Sequence, residues 1–145
     1  MKQDDFKVID NIPQGIIETS PVHGRGLFAR EKLDKGTALC QLDGQIVSWD
    51  LYDEVLGSLK EESGILADYL MVEWNALSET TLLIRPFRTK YSFINHSRTP
   101  NLKILHDPIR IVTVSAIPKG AELFLDYRQE PLRKEYLENH GKTYL

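Results

Sequence analysis

The sequence predicts a mainly β fold with some α, folded as one domain, and three observations carry that reading. Between residues 13 and 47, strand-length apolar segments alternate with Gly and Asp-Gly punctuation at spacings too short for helices. Only the stretch 49–62 carries an extended apolar stripe at helical period. A chain of 145 residues, 41% of them hydrophobic, is long enough to bury one core without staples and short for two.

The elements follow in order. Residues 1–13 are polar and end at Pro13, so they read as a loose arm or a first edge strand. GIIETS, LFAREKL, TALCQL and QIV read as strands joined by PVHGRG, DKG and DG turns. In SWDLYDEVLGSLKEESG the residues Trp49, Tyr52, Val55, Leu56 and Leu59 fall on one helical stripe, with Ser48 as N-cap and Gly64 as stop. ILADYLMV and TTLLIR are of strand length, separated by a turn-like WNALSE. LKILH and IRIVTVS flank Asp107-Pro108, and Pro118-Lys119-Gly120 turns into ELFLDY. A short helix is expected over 131–139, with Pro131 in its first turn and Gly141 at its end.

Bulk properties narrow the function. A net charge of −3 creates no general field for phosphates, so direct nucleic-acid binding is not expected. With one cysteine, Cys40, neither an internal disulfide nor a thiolate-cluster zinc site can form, and the four histidines show no ligand spacing, so no metal is expected. There is no run of about 18 apolar residues, and the N-terminus lacks a signal-peptide core. A soluble, cytoplasmic protein is expected, with the nucleus as the alternative for a eukaryotic source, and no membrane partner is expected.

Three short motifs each have a plain explanation. HGRGLFA lacks a third glycine and a βαβ context, so alone it reads as a tight turn between strands. In FINHSRTPN, His96 and Ser97 are adjacent and point apart, and no G-x-S-x-G elbow is present, so a Ser-His nucleophile is disfavoured. In GAELFLDYR, Tyr127 alone reads as a packed ring with a satisfied hydroxyl.

Taken in order, GRGLFA (24–29), KGTALCQLDGQIV (35–47), DYLMV (68–72), FINHSRTPN (93–101) and GAELFLDY (120–127) resemble the SET-domain protein lysine methyltransferases. The resemblance spans about 16–127 of a single domain over 1–145, with 128–145 as a tail covering the site. It implies several small sheets around a knot-like crossing, which periodicity cannot derive. It further implies S-adenosylmethionine as cofactor, a lysine in a protein or peptide as substrate, and histone-lysine N-methyltransferase-like chemistry. Carried onto this chain, Gly24, Arg25, Gly26, Leu27, Asn95 and His96 are expected to bind the cofactor and Tyr127 and Tyr69 to be catalytic. Phe93, Leu125, Tyr136 and Tyr144 are expected to line the substrate channel. For His96 the competing reading is a satisfied structural histidine.

The chemistry asks for positioning more than for a strong acid. A neutral amine attacks a methyl group in line, so a desolvating aromatic channel and oriented oxygens suffice. Two departures stand out. Arg98 follows the NHS triplet where the family often has Cys, and no Cys-rich segment completes the channel, so tail tyrosines are expected to cover it. Leu125 occupies a position where a Tyr can hold a water that limits methylation, so product beyond monomethyl is expected. The acidic residues of 49–62 could contact a basic peptide, but a solvated helix face is the favoured reading. The alternative function is a non-catalytic SET-like module that binds a peptide or partner; joint retention of Asn95, His96 and Tyr127 favours turnover. The oligomeric state is open.

Overall fold

A computed structural model describes residues 8–63, 73–132, 134–138 and 145. Among the described residues, ten short strands form four small sheets, accompanied by two α-helices. The first sheet is the antiparallel hairpin of β1 (Gly15–Thr19) and β2 (Arg25–Ala29). A second, in the order β3-β9-β8, joins β3 (Ala38–Gln41), β9 (Arg110–Thr113) and β8 (Leu102–Leu105). The third, in the order β4-β6-β5, joins β4 (Gln45–Ser48), β6 (Thr81–Arg85) and β5 (Glu73–Ala76). The fourth is a parallel pair of two-residue strands, β7 (Asn95–His96) and β10 (Phe124–Leu125).

That last pair makes the crossing. Gly120, Ala121 and Leu123 exchange main-chain bonds with β2, through Gly120 N to Ala29 O, Ala29 N to Ala121 O and Leu123 N to Leu27 O, at 2.8, 2.8 and 2.7 Å. One step later Phe124 stands beside Asn95 and Leu125 beside His96. The expected ELFLDY strand is therefore divided between two neighbours, and only Phe124–Leu125 belongs to β10.

The main core gathers Leu27, Ile94, Leu102, Ile111, Ile117, Leu123 and Leu125, all at most 1% exposed. These come from β2, β7's approach, β8, β9 and β10, so burial of their side chains clamps the crossing from both sides. A second cluster holds Trp49, Ala76, Leu82 and Leu132, with Trp74, Tyr136 and Leu145 packed against it.

Helix α1 (Trp49–Ser63) matches the expected stretch, and the Ser48 hydroxyl accepts from Leu51 N at 3.0 Å as its N-cap. Trp49 is buried and Tyr52 and Leu56 are half-buried, but Val55 is exposed, so the buried stripe is narrower than the apolar one. Helix α2 is described over Lys134–Glu138, within the expected stretch, and Pro131 precedes it instead of opening it. LFAREKL stops being a strand at Ala29, where the chain turns. The turn-like WNALSE proves to contain β5, whose Asn75 is wholly buried. The expected ILADYLMV strand, Gly64 and Gly141 lie outside the described residues. Of the N-terminal arm, Ile9 forms a parallel bridge to Thr89, in which Ile9 N donates to Arg88 O at 2.9 Å and Lys90 N donates to Ile9 O at 3.1 Å. No described helix is long and apolar enough to cross a membrane.

Candidate active site

The hairpin turn between β1 and β2 is organised by Ser20. Its hydroxyl donates to the Glu122 carboxylate at 2.8 Å and accepts from Val22 N at 3.0 Å. Gly24 sits at φ 47° with open space where a side chain would project. Gly26 is the opposite case: a Cβ there would lie 2.6 Å from Glu122 Oε2 and 3.2 Å from Asn95 Nδ2. Glycine is required because those two side chains occupy its space. The Asn95 amide lies within 3.0 Å of His23 O, 3.2 Å of Arg25 O and 2.9 Å of Glu122 Oε2, so it binds turn and crossing together.

Asn101 performs a similar task on the other side. Its Nδ2 donates to Glu122 O at 2.9 Å, and its Oδ1 accepts from Phe124 N at 2.8 Å. An amide supplies both a donor and an acceptor, which matches the main chain it faces. The crossing is thus held by side-chain amides as much as by the two-residue strand pair.

Tyr127 opens a 3-10 helix, Tyr127–Gln129, whose cap Asp126 accepts from Arg128 N. Tyr127 N donates to His96 Nδ1 at 3.0 Å, and the two rings lie 5.1 Å apart. A nitrogen that accepts carries no hydrogen, so His96 keeps its proton on Nε2. The Asp126 carboxylate at 3.8 Å from Nδ1 is therefore a neighbour, not an ion-pair partner. His96 Nε2 is buried and has no hydrogen-bond partner among the described residues. The Tyr127 hydroxyl donates to Ile94 O, which fixes the ring.

On its other side Tyr127 faces a cleft of about 140 Å³ lined by Trp74, Tyr91, Ser92, Tyr127, Glu130, Leu132 and Tyr136. The rings of Trp74 and Tyr136 meet edge to face at 5.5 Å, and Trp49 supports Trp74 from behind at 5.2 Å. Glu130 turns its carboxylate inward: Oε1 accepts from Asn75 Nδ2 at 2.7 Å and Tyr91 Oη at 2.9 Å, and Oε2 from Ala76 N at 3.3 Å. Burial pushes its pKa up, against the pull of these donors and of Arg85. Burial, then the nearby Glu130 charge, holds the Tyr91 hydroxyl well above the usual tyrosine range.

Of the residues expected from sequence, Gly24, Arg25, Gly26, Asn95, His96 and Tyr127 come together at the crossing. Leu27 follows them into β2 but is fully buried in the main core. Tyr136 reaches the cleft. Leu125 is buried in the main core and Phe93 packs against it, neither among the residues lining the cleft. Tyr69 and Tyr144 lie outside the described residues. Arg98 donates from Nε to the main-chain carbonyl of Leu145 at 2.8 Å, so it fastens the tail. Burial raises the Cys40 thiol to about 11, which disfavours its thiolate form.

Sequence reasoning missed Trp74, Tyr91 and Glu130. Trp74 lies in the segment read as a turn, and Glu130 follows the last motif with no pattern to mark it. Asn101 and Glu122 were visible as motif letters, without a task. Among the described residues no group of His, Cys, Asp and Glu is placed to hold a metal ion.

The chain matches the SET domain family over residues 24–128. It is 31% identical over 122 residues to the histone-lysine N-methyltransferase MEDEA of Arabidopsis thaliana. That alignment covers 80% of this chain but 17% of the plant protein, so the chain spans a small part of that relative's length.

Proposed function

The chain belongs to the SET-domain family, whose members are typically protein lysine methyltransferases, and on that premise we propose that it transfers a methyl group from S-adenosylmethionine to the ε-amine of a lysine in a protein. The observation that carries the proposal is the placement of Tyr127. Its main chain is tied to the His96 ring, its hydroxyl to Ile94 O, and its ring forms a wall of the aromatic cleft. One residue thus joins the expected cofactor side to a slot fitted for an alkyl amine.

The residues fit the cofactor. The turn at Gly24 is open and exposes main chain to a ligand, while His96 Nε2 is a buried N–H donor with no partner among the described residues. Gly24, Arg25 and Gly26 would hold the amino-acid end through the main chain, and Asn95 and His96 would frame the remainder. When bound, S-adenosylmethionine supplies an electrophilic methyl group on a sulfonium.

The protein's share is placement and desolvation. Trp74, Tyr91 and Tyr136 surround a lysine stem with rings and exclude water, which favours the neutral amine needed for attack. Tyr127 holds its oxygen and the Ile94 carbonyl at fixed positions beside the reacting atoms, where weak C–H···O contacts orient a methyl group.

The test is transfer of labelled methyl to a panel of basic proteins, with binding of the cofactor followed by calorimetry. Tyr127→Phe should keep the fold and lose at least about 10-fold in rate, the scale of one well-placed group in a site that works by orientation. Equal labelling by wild type and variant, or no cofactor binding, overturns the proposal. Cofactor and peptide binding without turnover would instead identify a non-catalytic module.

A further inference from the structure

The aromatic cleft contains a carboxylate that the reaction as described does not use. Glu130 lies among Trp74, Tyr91, Tyr127 and Tyr136, and its immediate hydrogen-bond donors are all neutral: the Asn75 amide, the Tyr91 hydroxyl and the Ala76 N–H. The adjoining guanidinium is engaged elsewhere. Arg85 Nε donates to Glu73, whose other oxygen accepts from Thr89 N at 3.0 Å, and Arg85 Nη2 donates to Asn75 Oδ1 at 2.6 Å. The buried network therefore carries two carboxylates and one guanidinium, and the guanidinium binds Glu73 directly but reaches Glu130 through neutral groups, the Asn75 amide and the Tyr91 ring that it overlies at 5.6 Å.

Aromatic faces attract a cation through their quadrupoles, and a carboxylate beside them adds charge that neither a neutral alkyl chain nor an anion can use. Asn75, Tyr91 and Ala76 N hold the Glu130 oxygens in place before any ligand arrives, so little ordering is needed on binding. From this juxtaposition we propose that Glu130 is the specificity residue of the cleft: it receives the lysine ammonium on entry, whose proton leaves to solvent before the neutral amine attacks, and it receives the methylated ammonium on exit. The inference rests on the cleft being the lysine channel of the proposed reaction. It deepens that reading by making the slot selective for a cationic amine over a neutral chain of the same shape.

The groups facing Glu130 are Tyr91 and Tyr127, with Arg85 and, through it, Glu73 behind Asn75. None of them replaces its charge when it is protonated. Below its raised pKa, Glu130 becomes a neutral acid, and the preference for a cation should fall with it.

The experiment compares two probes on the full chain, Nα-acetyl-lysine amide and its neutral isostere Nα-acetyl-norleucine amide, by NMR titration at the Trp74 indole. Wild type should bind the lysine probe about 10-fold more tightly or better, the value of one hydrogen bond to a charged group. Glu130→Gln should bring that ratio close to one while leaving cofactor affinity unchanged. A ratio retained in Glu130→Gln, or no preference in wild type, overturns the proposal. If Glu130→Gln does not fold, the wild-type ratio measured from about pH 8 down to the acid limit of the folded state decides: it must decline with acid, and a constant ratio overturns the proposal. The two readings fail separately. A Glu130-dependent lysine preference without methyl transfer leaves this site standing and removes the activity; methyl transfer with unchanged KM in Glu130→Gln does the reverse.

Discussion

Asn101→Ala is the perturbation that most directly tests how the crossing is held. The amide makes two bonds at once, to Glu122 O at 2.9 Å and from Phe124 N at 2.8 Å. Each such bond contributes about 1 kcal/mol net, and leaving a half-buried main-chain partner unsatisfied costs about 1 kcal/mol or more. The variant should lose about 2 to 4 kcal/mol, which for a chain of this size lowers Tm by roughly 5 to 15 °C. The loss also has a place. Phe124 is the residue beside Asn95, and three residues later comes the His96 bond to Tyr127. Cofactor affinity should therefore fall with stability. The assay is urea unfolding with the slope compared to wild type, alongside calorimetric cofactor titration at a temperature where the variant is folded. Asn101→Asp serves as control, since it keeps the acceptor for Phe124 N and loses the donor to Glu122 O; it should remain impaired. A loss below about 0.5 kcal/mol in the Ala variant, the size of an ordinary surface change, refutes the reasoning.

The two glycines of the turn should separate. Gly26→Ala drives a Cβ into Glu122 and Asn95 and should cost about 1 to 3 kcal/mol, whereas Gly24→Ala meets open space and carries only the strain of φ 47°, about 1 kcal/mol; a larger loss at Gly24 by thermal unfolding would contradict the geometry. Glu130 has its pKa raised by burial, so between its ordinary value and its folded value the folded state binds more protons than the unfolded chain. Its contribution to stability is fully present at acid pH and is lost as pH rises through the folded value; Glu130→Gln should flatten that decline in urea midpoints measured from about pH 4.5 to 8, and an unchanged slope would show that another group causes it. Asp126 runs the other way: its bond from Arg128 holds its pKa down, so its contribution is present at neutral pH and is lost as pH falls through the depressed value. Asp126→Asn should remove that acid-side loss, and identical acid unfolding of variant and wild type speaks against it.

What the sequence by itself determined is local. Gly and Asp-Gly turns bounded β1 to β4, the 3.6-residue period located α1, and Ser48 capped it where an N-cap was expected. The motif order pointed to the family, and with it to Asn95, His96 and Tyr127. Each of those signals is carried by residues close together in the chain, so propensity and pattern are enough to read them. What only the tertiary structure decided depends on residues far apart meeting. Asn75 reads as a turn residue until Arg85 and Glu130 satisfy its amide and make a buried strand position tolerable. Arg98 has no visible task until the tail returns to accept its hydrogen bond. Gly26 needs to be glycine because Glu122 and Asn95 fill the space beside it. The cleft draws Trp74 from β5, Tyr91 from the segment before β7, and Glu130 and Tyr136 from the tail, with no shared spacing to betray it. Long-range packing assembles that site, and a one-dimensional pattern does not record which distant side chains will face one another.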